Sequence, residues 1–306
     1  MEKNGAVDAF HLVKEEDHSK IVAVLKKRLP YSGNVFNMAS TLHKFTSEMK
    51  CFSLDGNLGE DAVIMITFTR EDYGQDINIS LPEKFEPSEY TRDAFASTKT
   101  IDWVGPHLFV CVDRRISTLI FEIDTRKFRN SVIFNPAYSY WISKEDAEKF
   151  GSQSDGDGVS VKKLERIQGV KFILENWKSS RAGTAIYVKR IIENSLSAGV
   201  YCGDQLMAAA LVSGYGLIGP ITTSAPFRRQ GCATKCFKFL LQEMAKEGLA
   251  PVSSSAQNNR SYVQLHEKLG MTVTHESDWI FHTGSGADTR LGPTAVQPAK
   301  KVKLSY

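Results

Sequence analysis

The sequence predicts an α/β protein with a mixed sheet, made of an N-terminal domain (residues 1–150) and a C-terminal domain (159–283). Three observations favour this organisation. Runs with the helical period and runs with the strand period alternate along the 306 residues. Residues 151–158 contain no apolar side chain, which is typical of a linker. Glycine and proline recur from Gly284 onward, which predicts a flexible basic tail over 284–306.

In the N-terminal domain we predict helices at 13–28 and 88–97, with Ser88 as the N-cap of the second. Short apolar or alternating runs predict strands at 62–68, 76–81 and 107–112. No catalytic constellation is evident in this part. We therefore expect it to be a scaffold or a substrate-shaping domain.

The C-terminal domain has a clearer order of elements. We predict helices at 170–177, 184–195, 231–246 and 259–269, and strands at 199–202, 205–212, 217–223, 251–255, 271–273 and 277–282. Several strands precede the first long crossover helix. This order predicts a mixed sheet in which antiparallel pairing comes first and parallel pairing later.

Composition narrows the function classes. With 38 basic and 35 acidic residues, the net charge of +3 lacks the strong basic excess of a nucleic-acid-binding protein. No window approaches the roughly 18 apolar residues that span a membrane, so we expect a soluble, cytoplasmic protein, with mitochondrial and nuclear locations left open. The cysteines show no paired spacing, which predicts reduced thiols and no metal site. They are Cys51, Cys111, Cys202, Cys232 and Cys236.

A strand, a turn and a helix start together predict an anion site. The buried strand 217–223 ends at Pro226, and a helix with one apolar stripe follows. The first turn of a helix has free amide groups and the positive end of the dipole. Gly231 and Ala233 allow a phosphate close to the backbone, while Arg228 and Arg229 add positive charge. A pyrophosphate suits such a site.

Two motifs here resemble those of the GNAT acyltransferase superfamily. Arg228-x-x-Gly231-x-Ala233 matches its acetyl-CoA-binding motif, Gln/Arg-x-x-Gly-x-Gly/Ala. Residues 259–271 are similar to its second signature, a helix that opens with an asparagine and ends in Lys-x-Gly-Phe, although Met271 replaces the phenylalanine. The spacing between the two motifs agrees as well. Within the superfamily, the chain most resembles the glycine N-acyltransferase-like proteins over residues 8–282.

This resemblance implies a C-terminal GNAT fold, with the N-terminal domain as a degenerate GNAT-like half. It also implies that acyl-CoA, such as acetyl-CoA, is the cosubstrate and that no metal takes part. The residues expected to bind the cosubstrate are Ile221, Thr222, Thr223, Arg228, Arg229, Gln230, Gly231, Cys232, Ala233, Thr234 and Asn259.

The catalytic groups are less well defined. Many superfamily members carry a glutamate base on the strand before the phosphate loop, yet 215–223 contains no carboxylate. A base could act through water from Thr222, Thr223 or Ser253, or be a histidine elsewhere. His266 stands where the superfamily often has a tyrosine acid, and Tyr262, one turn earlier, is the second candidate. Direct transfer is favoured over an acyl-enzyme on a cysteine at the helix start.

The sequence thus predicts an acyl-CoA-dependent N-acyltransferase that acts on glycine or another small amine. Two alternatives stay open. One is a protein or peptide N-acetyltransferase in which the N-terminal domain selects the polypeptide. The other is a GNAT-like protein that binds CoA without catalysis, which the missing carboxylate supports.

Overall fold

A computed structural model describes residues 7–150 and 158–283. The first range is called here the N-terminal segment and the second the C-terminal segment. The predicted linker at 151–157 and the predicted tail at 284–306 lie outside the described residues.

Helices and strands follow one another closely in the N-terminal segment. The strands are β1 (Phe10–Leu12), β2 (Met49–Leu54), β3 (Ile64–Arg70), β4 (Gly74–Ser80), β5 (His107–Asp113) and β6 (Val132–Trp141). The helices are α1 (His18–Lys27), α2 (Gly33–Thr41), α3 (Glu89–Ser97), α4 (Arg114–Glu122) and α5 (Lys144–Glu148).

The C-terminal segment contains a second series of elements. Its strands are β7 (Val159–Lys162), β8 (Ser197–Cys202), β9 (Gln205–Val212), β10 (Ile218–Thr223), β11 (Val252–Ala256) and β12 (Thr272–His282). Its helices are α6 (Arg166–Asn176), α7 (Thr184–Asn194), α8 (Cys232–Lys246) and α9 (Arg260–Lys268).

Local signals explain several of these elements. The predicted cap of α3 is confirmed, because the Ser88 hydroxyl accepts a hydrogen bond from the amide of Thr91 at 3.1 Å. Helix α6 begins earlier than predicted, since the Glu165 carboxylate accepts the amides of Ile167 and Gln168. Helix α1 begins later than predicted, because the Val13 amide donates to the Cys51 carbonyl beside β2.

Within the described residues, the strands form two sheets. The larger has the order β1-β2-β3-β4-β5-β12-β6-β11, and the smaller has the order β10-β9-β8-β7. The pairing of β4 with β5 is parallel and the other described pairings are antiparallel, which confirms a mixed sheet. The two short strands predicted at 271–273 and 277–282 are one strand, β12, with an irregularity between Val273 and His275.

The two segments share the larger sheet. Strand β6 of the N-terminal segment lies between β12 and β11 of the C-terminal segment and hydrogen-bonds to both. A buried core runs through the two segments and includes side chains from α2, β3, β9 and α8. A second core, on the opposite face of the larger sheet, lies beneath α3 and α4. The division predicted at 150/159 therefore separates parts of the sequence whose strands are interleaved in space.

The parallel pairing predicted later in the C-terminal domain is wrong, because the described strands of this domain form only antiparallel pairs and no ladder joins β10 to β11. Strand β10 is the edge of the smaller sheet, and β11 is the edge of the larger one. A neighbouring pair of strands with no ladder between them leaves room for a molecule to enter. No helix in the described part of the chain is long and apolar enough to cross a membrane.

Candidate functional site

Helix α8 begins at an exposed glycine, and its first turn has free backbone amide groups. Gly231 is its N-cap, with a φ of +80°, and a Cβ built on Gly231 would meet no atom within 4 Å. The first helical bond runs from the Lys235 amide to the Gly231 carbonyl at 3.0 Å. The amides of residues 232–234 therefore have no carbonyl one turn earlier to bond. This geometry suits a negatively charged group.

Two arginines precede this helix start. Arg228 and Arg229 are exposed, and neither forms an ion pair with another described residue. The Arg228 Nε donates to the Thr223 carbonyl at 3.3 Å, and the Gln230 amide donates to the Pro226 carbonyl at 3.0 Å. These two bonds fix the loop between β10 and α8, and the guanidinium charges of Arg228 and Arg229 stay available to an anion.

A cavity of about 260 Å³ lies between the diverging strands β10 and β11. One wall comes from β10 and the residue before it, and the other comes from β11 and the start of α9. Aromatic and aliphatic side chains dominate its lining. The lining residues are Asn135, Trp177, Tyr215, Leu217, Ile218, Gly219, Pro220, Ile221, Ser254, Ser255, Ala256, Asn259, Tyr262 and Trp279.

The structure brings three of the predicted site residues together around this cavity, namely Ile221, Asn259 and Tyr262. The Asn259 side chain caps α9 by accepting from the Tyr262 amide at 3.4 Å. Thr222 does not line the cavity and is buried with no partner for its hydroxyl among the described residues. Thr223 lies outside the cavity too, one residue nearer to α8.

Strand β10 is irregular where it borders the cavity. Its pairing with β9 slips between Ile218 and Ile221, where the strand holds one extra residue. Gly219 and Pro220 occupy the slip, and both line the cavity. An extra residue of this kind bends a strand and re-aims its backbone.

Tyr262 is a candidate proton donor in the cavity wall. Its hydroxyl lies 3.5 Å from the Ile218 carbonyl, and the ring contacts Phe237 edge-on. Burial raises the pKa of the Tyr262 phenol above its usual value. The hydroxyl therefore stays protonated at neutral pH and can give a proton to a departing thiolate.

His266, the other predicted acid, lies away from the cavity. It is fully buried, its ring stacks on Tyr140 at 4.0 Å, and its Nδ1 lies 2.6 Å from the Tyr262 carbonyl. Burial lowers the pKa of its imidazole to about 4, so the ring is neutral at pH 7. This environment is that of a core histidine, and the geometry favours Tyr262 as the acid.

Ser253 also differs from its neighbours. It is fully buried, and its hydroxyl has no partner among the described residues. The cavity is lined instead by Ser254 and Ser255, and the Ser254 hydroxyl accepts from the Trp279 indole at 3.2 Å.

Cys232 does not have the environment of a nucleophile. The thiol is 4% exposed, and burial raises its pKa despite its place in the first turn of α8. A protonated, buried thiol is a poor nucleophile. Among the described residues, no group of three or more histidine, cysteine or acidic side chains is placed to hold a metal ion.

Sequence reasoning missed four residues of the cavity. Asn135 comes from β6, Trp177 follows α6, Tyr215 precedes β10 and Trp279 comes from β12. Tyr215 and Trp279 contact each other edge-on at 5.6 Å. They come from distant parts of the chain, and Trp279 lies in the larger sheet while Tyr215 precedes a strand of the smaller one, so no local motif marks them.

The fold was compared with proteins of known structure. A Drosophila protein is 13% identical and superposes with a TM-score of 0.78, covering 90% of this chain and 99% of its own. A GCN5-related N-acetyltransferase-like protein from Streptococcus suis is 16% identical with a TM-score of 0.51, covering 87% and 98%. A tandem GNAT protein from the clavulanic acid biosynthesis pathway is 10% identical with a TM-score of 0.52, covering 91% and 99%.

Comparison of the sequence with protein-family models and with curated proteins found no match. At these identities, structural likeness establishes the fold alone. Both GNAT structures are matched over nearly their whole length, and the match extends over both segments of this chain. The chain therefore has a GNAT fold, in a two-part arrangement like that of a tandem GNAT protein.

Proposed function

We propose that the protein is an acyl-CoA-dependent N-acyltransferase that acts on a small amine by direct transfer. One observation carries this proposal. The strand that lines the cavity, β10, leads within eight residues to the open start of α8. A single extended molecule can thus place an anionic group at α8 and a reactive group between the strands. Acyl-CoA has this form, because an extended pantetheine arm joins its pyrophosphate to its thioester.

The reaction follows from the groups in the cavity. The amine nitrogen attacks the thioester carbonyl, the new C–N bond forms and the C–S bond breaks. The nitrogen loses one proton to water, and the thiolate leaves as a thiol after it gains one. Tyr262 is the proposed donor of that second proton, because its phenol is protonated and lies in the cavity wall. The proposed pyrophosphate ligands are the amides of residues 232–234, with Arg228 and Arg229 adding charge.

The residues that line the cavity indicate which kind of amine acceptor it can bind. Three aromatic walls, from Trp177, Tyr215 and Trp279, surround polar groups from Asn135 and Ser254. None of the described lining residues is charged. A free carboxylate buried here would have no cation beside it, which is costly. The site therefore suits a small amine with an apolar body better than it suits glycine.

We also propose that, within the GNAT superfamily, the protein belongs to the glycine N-acyltransferase-like subgroup. The support for this proposal is the likeness of residues 25–30 and 35–37 to the opening of that family, together with the shared two-part layout.

Thiol release measured with acetyl-CoA and longer acyl-CoAs across a panel of amines tests the function. The panel should include glycine, uncharged aliphatic and aromatic amines, and peptides. We expect turnover with small uncharged amines and slower turnover with glycine. Turnover with peptides alone would replace the proposal by peptide acetylation, and CoA binding without turnover for any amine would refute catalysis.

A further inference from the structure

We propose that Asn37, on α2 of the N-terminal segment, is a positioning residue that sets the separation of β10 and β11. Through it, the N-terminal segment controls the width of the cleft in the C-terminal segment. The expected effect of Asn37 on CoA binding rests on the proposed function. The expected effect of Asn37 on the separation of β10 and β11 does not depend on that function.

The Asn37 side chain is fully used in three hydrogen bonds. Its Nδ2 donates to the Gly216 carbonyl and to the Ala250 carbonyl, both at 2.9 Å, and its Oδ1 accepts from the Ala250 amide at 2.7 Å. The residue is 1% exposed. Rotating the amide by 180° would face its oxygen toward two carbonyl oxygens, so the bonds fix its orientation.

The bonded positions are equivalent on the two strands. Gly216 comes two residues before β10, and Ala250 comes two residues before β11. Neighbouring strands are normally held at a fixed distance by their own backbone ladder. No ladder joins β10 to β11, and one side chain from another segment bonds the start of each. Asn37 thus occupies the closed end of the gap.

The backbone of α2 reinforces this arrangement. A Cβ at Gly216, where φ is +75°, would lie 2.3 Å from the Asn34 carbonyl oxygen. A Cβ at Gly33 would lie 2.4 Å from Cγ1 of Val252. Both strand starts therefore abut the first turn of α2, and only glycine permits the contacts. A shift of this helix moves both strands.

The cavity begins next to these bonds. Its walls include Leu217 and Ile218 on one side and Ser254 on the other. A displacement of either strand start therefore moves residues that form the cavity walls. Misplacement of a reacting group by about 1 Å can cost about 100-fold in rate.

Asn34 supplies a matched control. It lies one turn earlier on the same helix, and its Nδ2 donates to the Asn78 side chain at 3.0 Å, within the N-terminal segment. Asn34→Ala removes the same side chain without removing a bond to β10 or β11. Asn37→Ala removes all three bonds to the strand starts.

The experiment combines hydrogen exchange with calorimetric titration of CoA, on the full chain. In Asn37→Ala we expect faster exchange at the starts of both β10 and β11, and CoA affinity about tenfold or more below that of Asn34→Ala. Faster exchange at one strand alone, or equal CoA affinities with equal exchange in the two variants, would overturn the proposal.

A second variant covers the case in which Asn37→Ala does not fold. Gly216→Ala keeps Asn37 and displaces the start of β10 by its contact with the Asn34 carbonyl. It should weaken CoA binding and speed exchange in β10, and wild-type values for both would refute the inference. If the wild-type protein binds no CoA, the proposed function fails, and the exchange data alone decide the role of Asn37.

Discussion

Replacing His266 by glutamine should change how the stability of the protein depends on pH. The imidazole is enclosed by Tyr140, Phe237 and Tyr262, and its Nε2 has no partner among the described residues. A charged ring there would lose its hydration with no anion to offset the loss. His266→Gln keeps an N–H donor of similar size and removes the titration.

The sign and size of the effect follow from the pKa. Burial lowers the pKa of His266 from 6.5 to about 4. Between these values the unfolded chain binds a proton that the folded protein does not, so stability falls as the pH falls. At about 1.4 kcal/mol per pKa unit, the loss is roughly 2 kcal/mol between pH 7 and pH 5 and roughly 3 kcal/mol by pH 4.

Urea unfolding from pH 7.5 to pH 4.5, followed by circular dichroism, measures this difference. We expect the stability of His266→Gln relative to wild type to rise by roughly 2 kcal/mol between pH 7 and pH 5. His43→Gln, at an exposed position, controls for the loss of a histidine. If the difference in free energy of unfolding between wild type and His266→Gln stayed constant with pH, the buried neutral ring would not be the cause of the pH dependence.

The same variant tests the role predicted for His266 from sequence. If His266 were the general acid, its replacement would lower turnover at pH 7.5 while CoA affinity stayed the same. Its position outside the cavity leads us to expect nearly unchanged turnover. Loss of turnover at matched stability would restore His266 as the acid.

Two further changes test neighbouring parts of the account. Tyr262→Phe keeps the ring and removes the proposed proton donor, so kcat for thiol release should fall about 100-fold with CoA affinity unchanged; equal kcat would exclude the role. Asp76 is fully buried, its Oδ2 lies 3.5 Å from the Arg70 Nη1, and burial outweighs this ion pair and raises the pKa of Asp76 to about 6. Between 3.8 and 6 the folded protein binds the extra proton, so wild-type stability falls as pH rises through this range. Asp76→Asn should gain stability relative to wild type from pH 4 to pH 7 in urea unfolding, and a constant gap would contradict this.

Elements with strong local signals were predictable. The predicted stripe of α8 comprises Ala233, Phe237, Leu240, Leu241 and Met244. The last four are fully buried, and Ala233 at the helix start is half-buried. Gly248 ends that helix with a φ of +74°, and the next amide reaches back to the Met244 carbonyl at 2.8 Å. In each case the structure is determined by residues that are close together in the sequence.

Elements stabilised by distant partners were missed. Strand β6 contains Asn135 and Pro136, both poor strand formers, yet it is an interior strand of the larger sheet, between β12 and β11. Its partners β11 and β12 come more than 100 residues later in the chain. Helix α2 has a mixed composition with no clear helical signal. The reason for Gly33 and Asn37 is their contact with residues of the C-terminal segment, which the local sequence does not show.

The site was predictable in part for the same reason. The helix start at Gly231 and the cap at Asn259 are local features, and the structure places each where the motif implied. The aromatic walls of the cavity depend on pairing across the two segments. Tyr262 and His266 are four residues apart and lie on the same side of α9, so the choice between them depends on which end of that side reaches the cavity, and spacing does not decide this.

Calorimetric titration of CoA into wild type, Gly231→Glu and Gly248→Glu tests the central claim most directly. The two glycines stand at opposite ends of α8, both have positive φ, and a Cβ at either meets no atom within 4 Å. Backbone strain is therefore matched, and the variants differ in which helix end receives the carboxylate. We predict that Gly231→Glu abolishes CoA binding while Gly248→Glu retains wild-type affinity. Equal affinity in all three proteins would contradict a CoA site at the start of α8.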